Sequence, residues 1–155
     1  MAARLPFGDP YAHLDVSMRV GRGDEVVTGT LRVGGVRPAL AATLAPDFAP
    51  LAWFDLAGGG TVEFRLGTDG RVIGAAFELW SGAGTIDPGG LFGAPRSIKG
   101  LVVQGHAVAP LTVLTIDSFA VDIGNGRLRG TARISHLGAA AALALSAGVE
   151  NLTLA

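Results

Sequence analysis

Three histidines are the side chains best suited to metal or acid–base chemistry in this sequence, and each of them stands alone. His13, His106 and His136 have no second histidine and no carboxylate at a metal-ligand spacing. The chain contains no cysteine, so it has no thiol nucleophile, thiolate ligand or disulfide. We therefore predict solvent-facing imidazoles, no metal site and no cofactor.

The remaining polar residues show no catalytic pattern. Asp117 and Asp122 are separated by an odd number of positions, so an unbroken strand would place them on opposite faces, where they could not share a proton. No G-x-S-x-G motif marks a serine nucleophile. In residues 124–130 (GNGRLRG) the third glycine comes one position too late for a dinucleotide loop, and a strand pattern follows. These features predict a protein that is not an enzyme; an active site built from distant strands is the alternative.

The composition indicates an unusually apolar chain without an excess of either charge. Hydrophobic residues make up 49% of the 155 residues and charged residues only 16%, against about 25% in typical domains. The 12 basic and 13 acidic side chains nearly cancel, and the basic ones form no dense cluster. Nucleic-acid binding is therefore not expected. No apolar stretch reaches the roughly 20 residues of a membrane-spanning helix, so no transmembrane segment is predicted.

Alternation of apolar and polar residues dominates the sequence and predicts β-strands. In residues 11–20, Leu14, Val16 and Met18 fall on one face, whereas polar and charged side chains fall on the other. The same pattern predicts further strands at residues 27–33, 61–67, 71–80, 84–86, 98–107, 111–123, 127–135 and 140–154. We include the last of these although its Ala/Leu run favours a helix, because the alternation continues on both sides of the run.

The segments between these strands carry turn signals. Thr68-Asp69-Gly70 and Asn125-Gly126 are typical of tight hairpin turns, and residues 58–60 (GGG) predict a flexible connection. Residues 87–96 are rich in glycine and proline and predict a loop. Consecutive strands joined in this way form an antiparallel meander.

A single helical insertion interrupts the strands. Pro38 suits the first turn of a helix, and two later prolines prevent a long one, so residues 38–53 should form one or two short helices. The predicted fold is therefore all-β and mainly antiparallel, with about nine strands in a curved open sheet or trough and one short helical insertion. We expect residues 1–155 to form a single module.

An apolar sheet face must be buried against something. The sequence leaves four possibilities open: a second sheet, the interior of a barrel, a partner chain or an apolar ligand. Only one short helical insertion is available as a cover. The identity of the cover is therefore the central functional question.

Three stretches resemble a known family. They are residues 31–41 with 45–52 (LRVGGVRPALA and APDFAPLA), residues 82–92 (GAGTIDPGGLF), and residues 114–124 running into 128–132 (LTIDSFAVDIG and LRGTA). Together they resemble the central repeats of AsmA-like bacterial envelope proteins, particularly the YhdP type. The resemblance covers most of residues 11–154.

The resemblance implies a periplasmic location and a role in phospholipid transport between the inner and outer membrane. Proteins of this family look like long β-rich troughs with an apolar concave face, and an N-terminal helix usually anchors them in the inner membrane. This chain is far shorter and shows no such anchor, so we expect an internal fragment of a longer protein or a truncated member of the family. The implied partners are phospholipid acyl chains and neighbouring β-modules or envelope proteins.

On this hypothesis an apolar β-groove binds the acyl chains. Alternation assigns its lining to Leu14, Val16, Met18, Val62, Phe64, Leu66, Ile73, Phe77, Leu79, Val103, Leu114, Ile116, Leu128 and Ile134. The alternative is a structural module that pairs edge to edge with neighbouring repeats and binds no lipid, since a strand edge is a template for pairing.

Overall fold

The protein, seen here in a computed structural model, consists almost entirely of β-strands. The structure describes residues 2–3, 8–21, 25–42, 51–87, 94–135 and 142–151. The strands are β1 (Ala2–Ala3), β2 (Gly8–Val20), β3 (Val26–Val36), β4 (Phe54–Gly67), β5 (Val72–Ile86), β6 (Arg96–Ile98), β7 (Gly100–Val108), β8 (Val113–Asp122), β9 (Arg127–Ser135) and β10 (Ala142–Glu150).

All strands belong to one antiparallel sheet. Their order is β1-β2-β3-β4-β5-β7-β8-β9-β10, and the short β6 pairs with β5 beyond the end of its pairing with β7. The two ends of the order do not pair with each other in the described residues, so the sheet is open rather than closed. The predicted open antiparallel sheet is confirmed, with ten strands because β1 and β6 are added and the predicted strands 71–80 and 84–86 form one strand, β5.

Two strands are longer than the sequence pattern indicates. The prediction of a flexible connection at residues 58–60 is wrong, because β4 runs through this glycine run. Gly58 pairs with Val36 and Ser81, and Gly60 pairs with Val33 and Leu79. Backbone pairing on both sides thus holds the glycines in extended conformation. Residues 84–86 likewise belong to β5 and do not form a separate strand.

The hairpin turns lie where the sequence places them. At the β4–β5 turn the amide of Gly67 donates to the carbonyl of Arg71 at 2.8 Å, and Gly70 has a φ of 77°. At the β8–β9 turn the amide of Ile123 donates to the carbonyl of Gly126 at 3.0 Å. The left-handed residue of this second turn is Gly124, with a φ of 87°, just before the Asn-Gly pair. Glycine tolerates this conformation at little cost.

The helical insertion is short. Helix α1 (Pro38–Ala41) is a single turn that begins at proline, and the amide of Ala42 donates to the carbonyl of Pro38 at 3.2 Å. A second helical turn covers residues 51–53; residues 43–50 of the predicted insertion lie outside the described residues. None of the helices in the described part of the chain has the length and apolarity needed to cross a bilayer.

The described residues form a single layer with very little core. Only Ala12, Leu56, Ile98 and Ala132 are buried hydrophobic residues in this part of the chain, and no large side chain is fully enclosed. Helix α1 contacts β4 at one end of the sheet, and Leu51 of the second helical turn lies at the same end; the described residues contain no further helix. Within the described part of the chain, no second layer covers either face of the sheet.

An apolar sheet face as the candidate binding surface

The pairing register places apolar side chains from eight strands on one side of the sheet. Each residue of the central row pairs with the next across the strands. We call the side carrying this row the apolar face; the row consists of Val16, Leu31, Val62, Phe77, Gly105, Ile116, Ala132 and Leu145. The rows on either side of it are equally apolar, so the face is continuous across the sheet.

The structure brings the predicted groove residues together on this face. Thirteen of the fourteen lie on it by direct pairing; Ile73 lies at a β-bulge, where the β4–β5 register shifts. None of the fourteen is buried: Met18 is 63% exposed, Leu79 is 39% exposed, and the rest are half-buried. Neighbouring side chains shield them from the side, but no second layer of described residues covers them.

Several residues of the apolar face escaped the sequence assignment. Leu31 and Val33 of β3 and Leu143 of β10 continue the same alternation and could have been found by extending it. Phe119 could not, because a bulge between Ile116 and Phe119 shifts the alternation by one position. The register of pairing between β8 and its neighbours, which the alternation alone does not specify, is needed to place Phe119 on the apolar face.

Three phenylalanine rings lie flat against glycines of the adjacent strand. Phe64 covers Gly29, Phe77 covers Gly105 and Phe119 covers Gly130. A methyl group added at Gly105 would stand 2.6 Å from the Phe77 ring, and one at Gly130 would stand 2.8 Å from the Phe119 ring, which is too close for carbon atoms. Each glycine therefore makes room for a ring on the neighbouring strand, as aromatic residues do for strand glycines elsewhere.

A pocket of about 370 Å³ lies at one end of the apolar face, beside the helical insertion. Pro38 and Leu51 of the insertion line it together with Leu56, and Leu79 of β5 and Leu101 of β7 line its other side. No charged residue of the described part of the chain lines this pocket. Its volume falls within the range of small-molecule sites, which are mostly apolar as well.

The opposite side of the sheet is mainly polar, with the exposed Trp80, Val102 and Val108 as exceptions. A depression of about 630 Å³ lies there, with Ser17, Arg19, Glu63, Arg65 and His106 in its lining. Although it is larger than the apolar pocket, it carries side chains that water solvates well, and charges of both signs. The lining of this depression can therefore be solvated by water without a ligand. The exposed apolar face, in contrast, is of the kind that marks a binding site.

A histidine–aspartate pair lies on this polar side. His106 Nδ1 is 2.8 Å from Asp117 Oδ2, and the two side chains are 45% and 52% exposed. The expectation that Asp117 and Asp122 face opposite ways is wrong, because the bulge at Asp117 interrupts β8 and turns this carboxylate towards His106. No serine or threonine hydroxyl hydrogen-bonds His106 in the described residues.

The other histidines add no reactive group within the described part of the chain. The His13 ring lies against Gly34 of β3, and His136 lies outside the described residues. No cluster of three or more possible metal ligands occurs where the structure describes the chain. The apolar face thus remains the most distinctive feature of the surface. No family model, curated protein or solved structure matches this chain.

Proposed function

We propose that the apolar face binds phospholipid acyl chains, and that the protein is a non-catalytic module of the bacterial envelope. In this role it works in the periplasm and offers an apolar β-groove to phospholipids that move between the inner and outer membrane. The observation that carries the proposal is the continuous apolar face, which no second layer of described residues covers. The resemblance of the sequence to AsmA-like proteins supports the same assignment.

The free energy of hydrocarbon transfer favours such an occupant. Burying an acyl chain contributes about 0.8 kcal/mol for each CH₂ group removed from water. Water also leaves the protein side of the contact, where Met18 and Leu79 are exposed and their neighbours are half-buried. Contiguous exposed apolar surface of this kind marks binding sites in other proteins.

The side chains of the apolar face would allow a bound acyl chain to slide along the surface. Valine, leucine, isoleucine, alanine and phenylalanine form the rows of the apolar face, and no charge interrupts the central row. An acyl chain on this surface makes only dispersion and hydrophobic contacts, which change little when it moves by one CH₂. The phenylalanine rings lie against glycines of the adjacent strands, and these glycines add no side chain of their own to the face.

The pocket at the end of the apolar face provides the readout for a test. Trp53 and Trp80 are the two tryptophans in the chain, and the Trp80 ring lies against Gly59 on the side of the sheet opposite to Leu79. We therefore replace both by phenylalanine and introduce Leu101→Trp, which gives a single tryptophan in the lining of the pocket. We expect phospholipid with brominated acyl chains to quench its fluorescence, while the unbrominated lipid leaves the emission intensity higher.

A pair of charge substitutions on one strand tests the face itself. Leu79→Asp places a carboxylate on the apolar face, and Ala76→Asp places the same charge on the polar side of β5. We expect Leu79→Asp to weaken acyl-chain binding at least about fivefold, since even an uncharged polar group without a hydrogen bond costs roughly 1–3 kcal/mol beside hydrocarbon and a charge costs more. Ala76→Asp should bind as the parent protein does, and both variants should remain folded by circular dichroism.

Two results would contradict the proposal. Unfolding of Leu79→Asp but not of Ala76→Asp would show that the apolar face is a closed core. Equal quenching in both variants would show that the lipid binds elsewhere.

An interaction module without lipid binding is the second candidate function. The observation in its favour is strand β10, whose nine residues are all exposed and which pairs only with β9 in the described residues. Failure of every acyl probe, together with stable association through this edge, would favour this alternative.

A further inference from the structure

Strand β10 presents an open edge with none of the usual protection against pairing. It pairs with β9 over nine residues, Ala142–Glu150, and its outer edge has no partner among the described residues. It contains no proline, lysine or arginine, and its one charged residue, Glu150, stands at the end. A long, exposed and apolar edge of this kind is a ready template for another strand.

The other end of the sheet is protected. The short strand β1 covers β2 at Leu14 and Asp15, and Pro10 within β2 has no amide hydrogen to donate. Arg19, further along β2, is a charged residue at this edge. These features disfavour addition of a further strand to β2. Head-to-tail stacking, in which β10 of one copy pairs with β2 of the next, is therefore disfavoured.

We propose that two copies of this chain associate through their β10 strands, which pair antiparallel about a two-fold axis. A two-fold contact uses the same strand of both copies, so it occupies the open edge completely and stops at a dimer. Odd-numbered residues of β10 point to one face of the sheet and even-numbered residues to the other. When odd residues pair with odd and even with even, the apolar face of one copy is therefore continuous with the apolar face of the other. Any shift by one residue would bring apolar side chains to the polar side.

The charges next to β10 select one of these registers. Glu150 lies near the Arg129 guanidinium, with 3.3 Å between Nε and Oε2. Arg133 of β9 has no ion pair among the described residues, and the small Ala144 lies beside it on β10. When Glu150 of the second copy faces Ala144, it stands two strand spacings, about 9.6 Å, from Arg133. The long arginine side chain spans this gap across the alanine methyl group, once in each half of the dimer.

This register brings Ala147 of both copies together on the two-fold axis. Leu145 then faces Val149 of the second copy, so the exposed apolar side chains of the two edges meet; they are 61% and 55% exposed in the single chain. The apolar faces of the two copies become one surface. The contact involves backbone groups at the sheet edge and does not depend on lipid binding.

Cysteine cross-linking tests the register directly, because the full chain has no native cysteine. Paired strands hold opposing Cα atoms about 4.5–5.5 Å apart, within the range that a disulfide spans. Under mild oxidation we expect Ala147→Cys to form a covalent dimer of twice the 15.7 kDa chain mass. Leu143→Cys is the matched control: it is on the same face and strand, but the two copies of residue 143 lie about 27 Å apart in this register.

Sedimentation of the unmodified chain gives the second measurement. We expect a monomer–dimer equilibrium without larger species, weakened by Glu150→Arg and by Arg133→Glu and restored when the two substitutions are combined. A monomer at all concentrations would overturn the proposal. So would cross-linking of Leu143→Cys as fast as of Ala147→Cys, growth into long polymers, or failure of the combined variant to recover the dimer.

Discussion

Substitution of Gly29 by alanine tests whether the phenylalanine rings lie on the sheet as the structure places them. The three atoms nearest to a methyl group added at Gly29 all belong to the Phe64 ring, and Cε1 of that ring would be only 2.9 Å away. No backbone atom is as close, so the ring must leave its position for the methyl group to fit. We expect Gly29→Ala to destabilise the protein by about 1–3 kcal/mol, the usual cost of overpacking.

The matched control is Gly148→Ala on strand β10. A methyl group at Gly148 would meet no atom within 4 Å. Because alanine has fewer unfolded conformations than glycine, this change should be neutral or stabilise the protein by about 0.4–1 kcal/mol. The two glycines are both in strands and neither has a positive φ. The difference between the two changes in unfolding free energy therefore measures the clash with the Phe64 ring.

A double-mutant cycle measured by urea unfolding completes the test. Phe64→Ala alone should cost about 2 kcal/mol, roughly half of the 3–5 kcal/mol for a fully buried phenylalanine, because the Phe64 side chain is half-buried. In that background Gly29→Ala should cost almost nothing, so the cycle should give a coupling energy of at least about 1 kcal/mol. Additive effects, or a Gly29→Ala protein as stable as Gly148→Ala, would refute the ring-on-glycine arrangement.

Two further substitutions test how stability is distributed over the sheet. Leu56→Ala removes a side chain next to the helical insertion that is only 6% exposed, and it should cost about 2–4 kcal/mol. Leu145→Ala, at a side chain that is 61% exposed, should change the free energy of unfolding by less than about 0.5 kcal/mol. Equal effects in thermal unfolding would contradict the single-layer packing. Asp117→Ala removes the partner of His106 and should cost less than about 1 kcal/mol, because both side chains are about half exposed; a larger loss in urea unfolding would show that the bulge depends on this pair.

The order of the strands could be predicted from the sequence because each hairpin is local. Alternation and turn residues identify neighbouring strands without any long-range information, and the meander then follows. The Ala/Leu run at residues 142–150 shows the strength of this signal: its composition favours a helix, yet pairing with β9 makes it a strand. Tertiary context decides the matter where propensity alone is ambiguous.

The bulges could not be predicted, and they account for the main errors at the site. A bulge adds one residue to a single strand and reverses the alternation beyond it. At Asp117 this change turns the carboxylate towards His106 and moves Phe119 onto the apolar face. The prediction of a flexible connection at residues 58–60 was wrong for a related reason. Pairing with strands on both sides keeps these glycines extended, and the local sequence does not reveal that pairing.

The two proposals concern different surfaces, and their tests separate them. Pairing through β10 uses backbone groups at the sheet edge, whereas acyl chains contact side chains on the apolar face. Leu79→Asp should therefore weaken lipid binding and leave dimerisation unchanged. Arg133→Glu should weaken dimerisation and leave lipid binding unchanged. If instead Leu79→Asp also became monomeric, the apolar faces themselves would be the contact between copies. The apolar face would then be covered by the second copy of the protein and not by acyl chains, and the lipid proposal would fail.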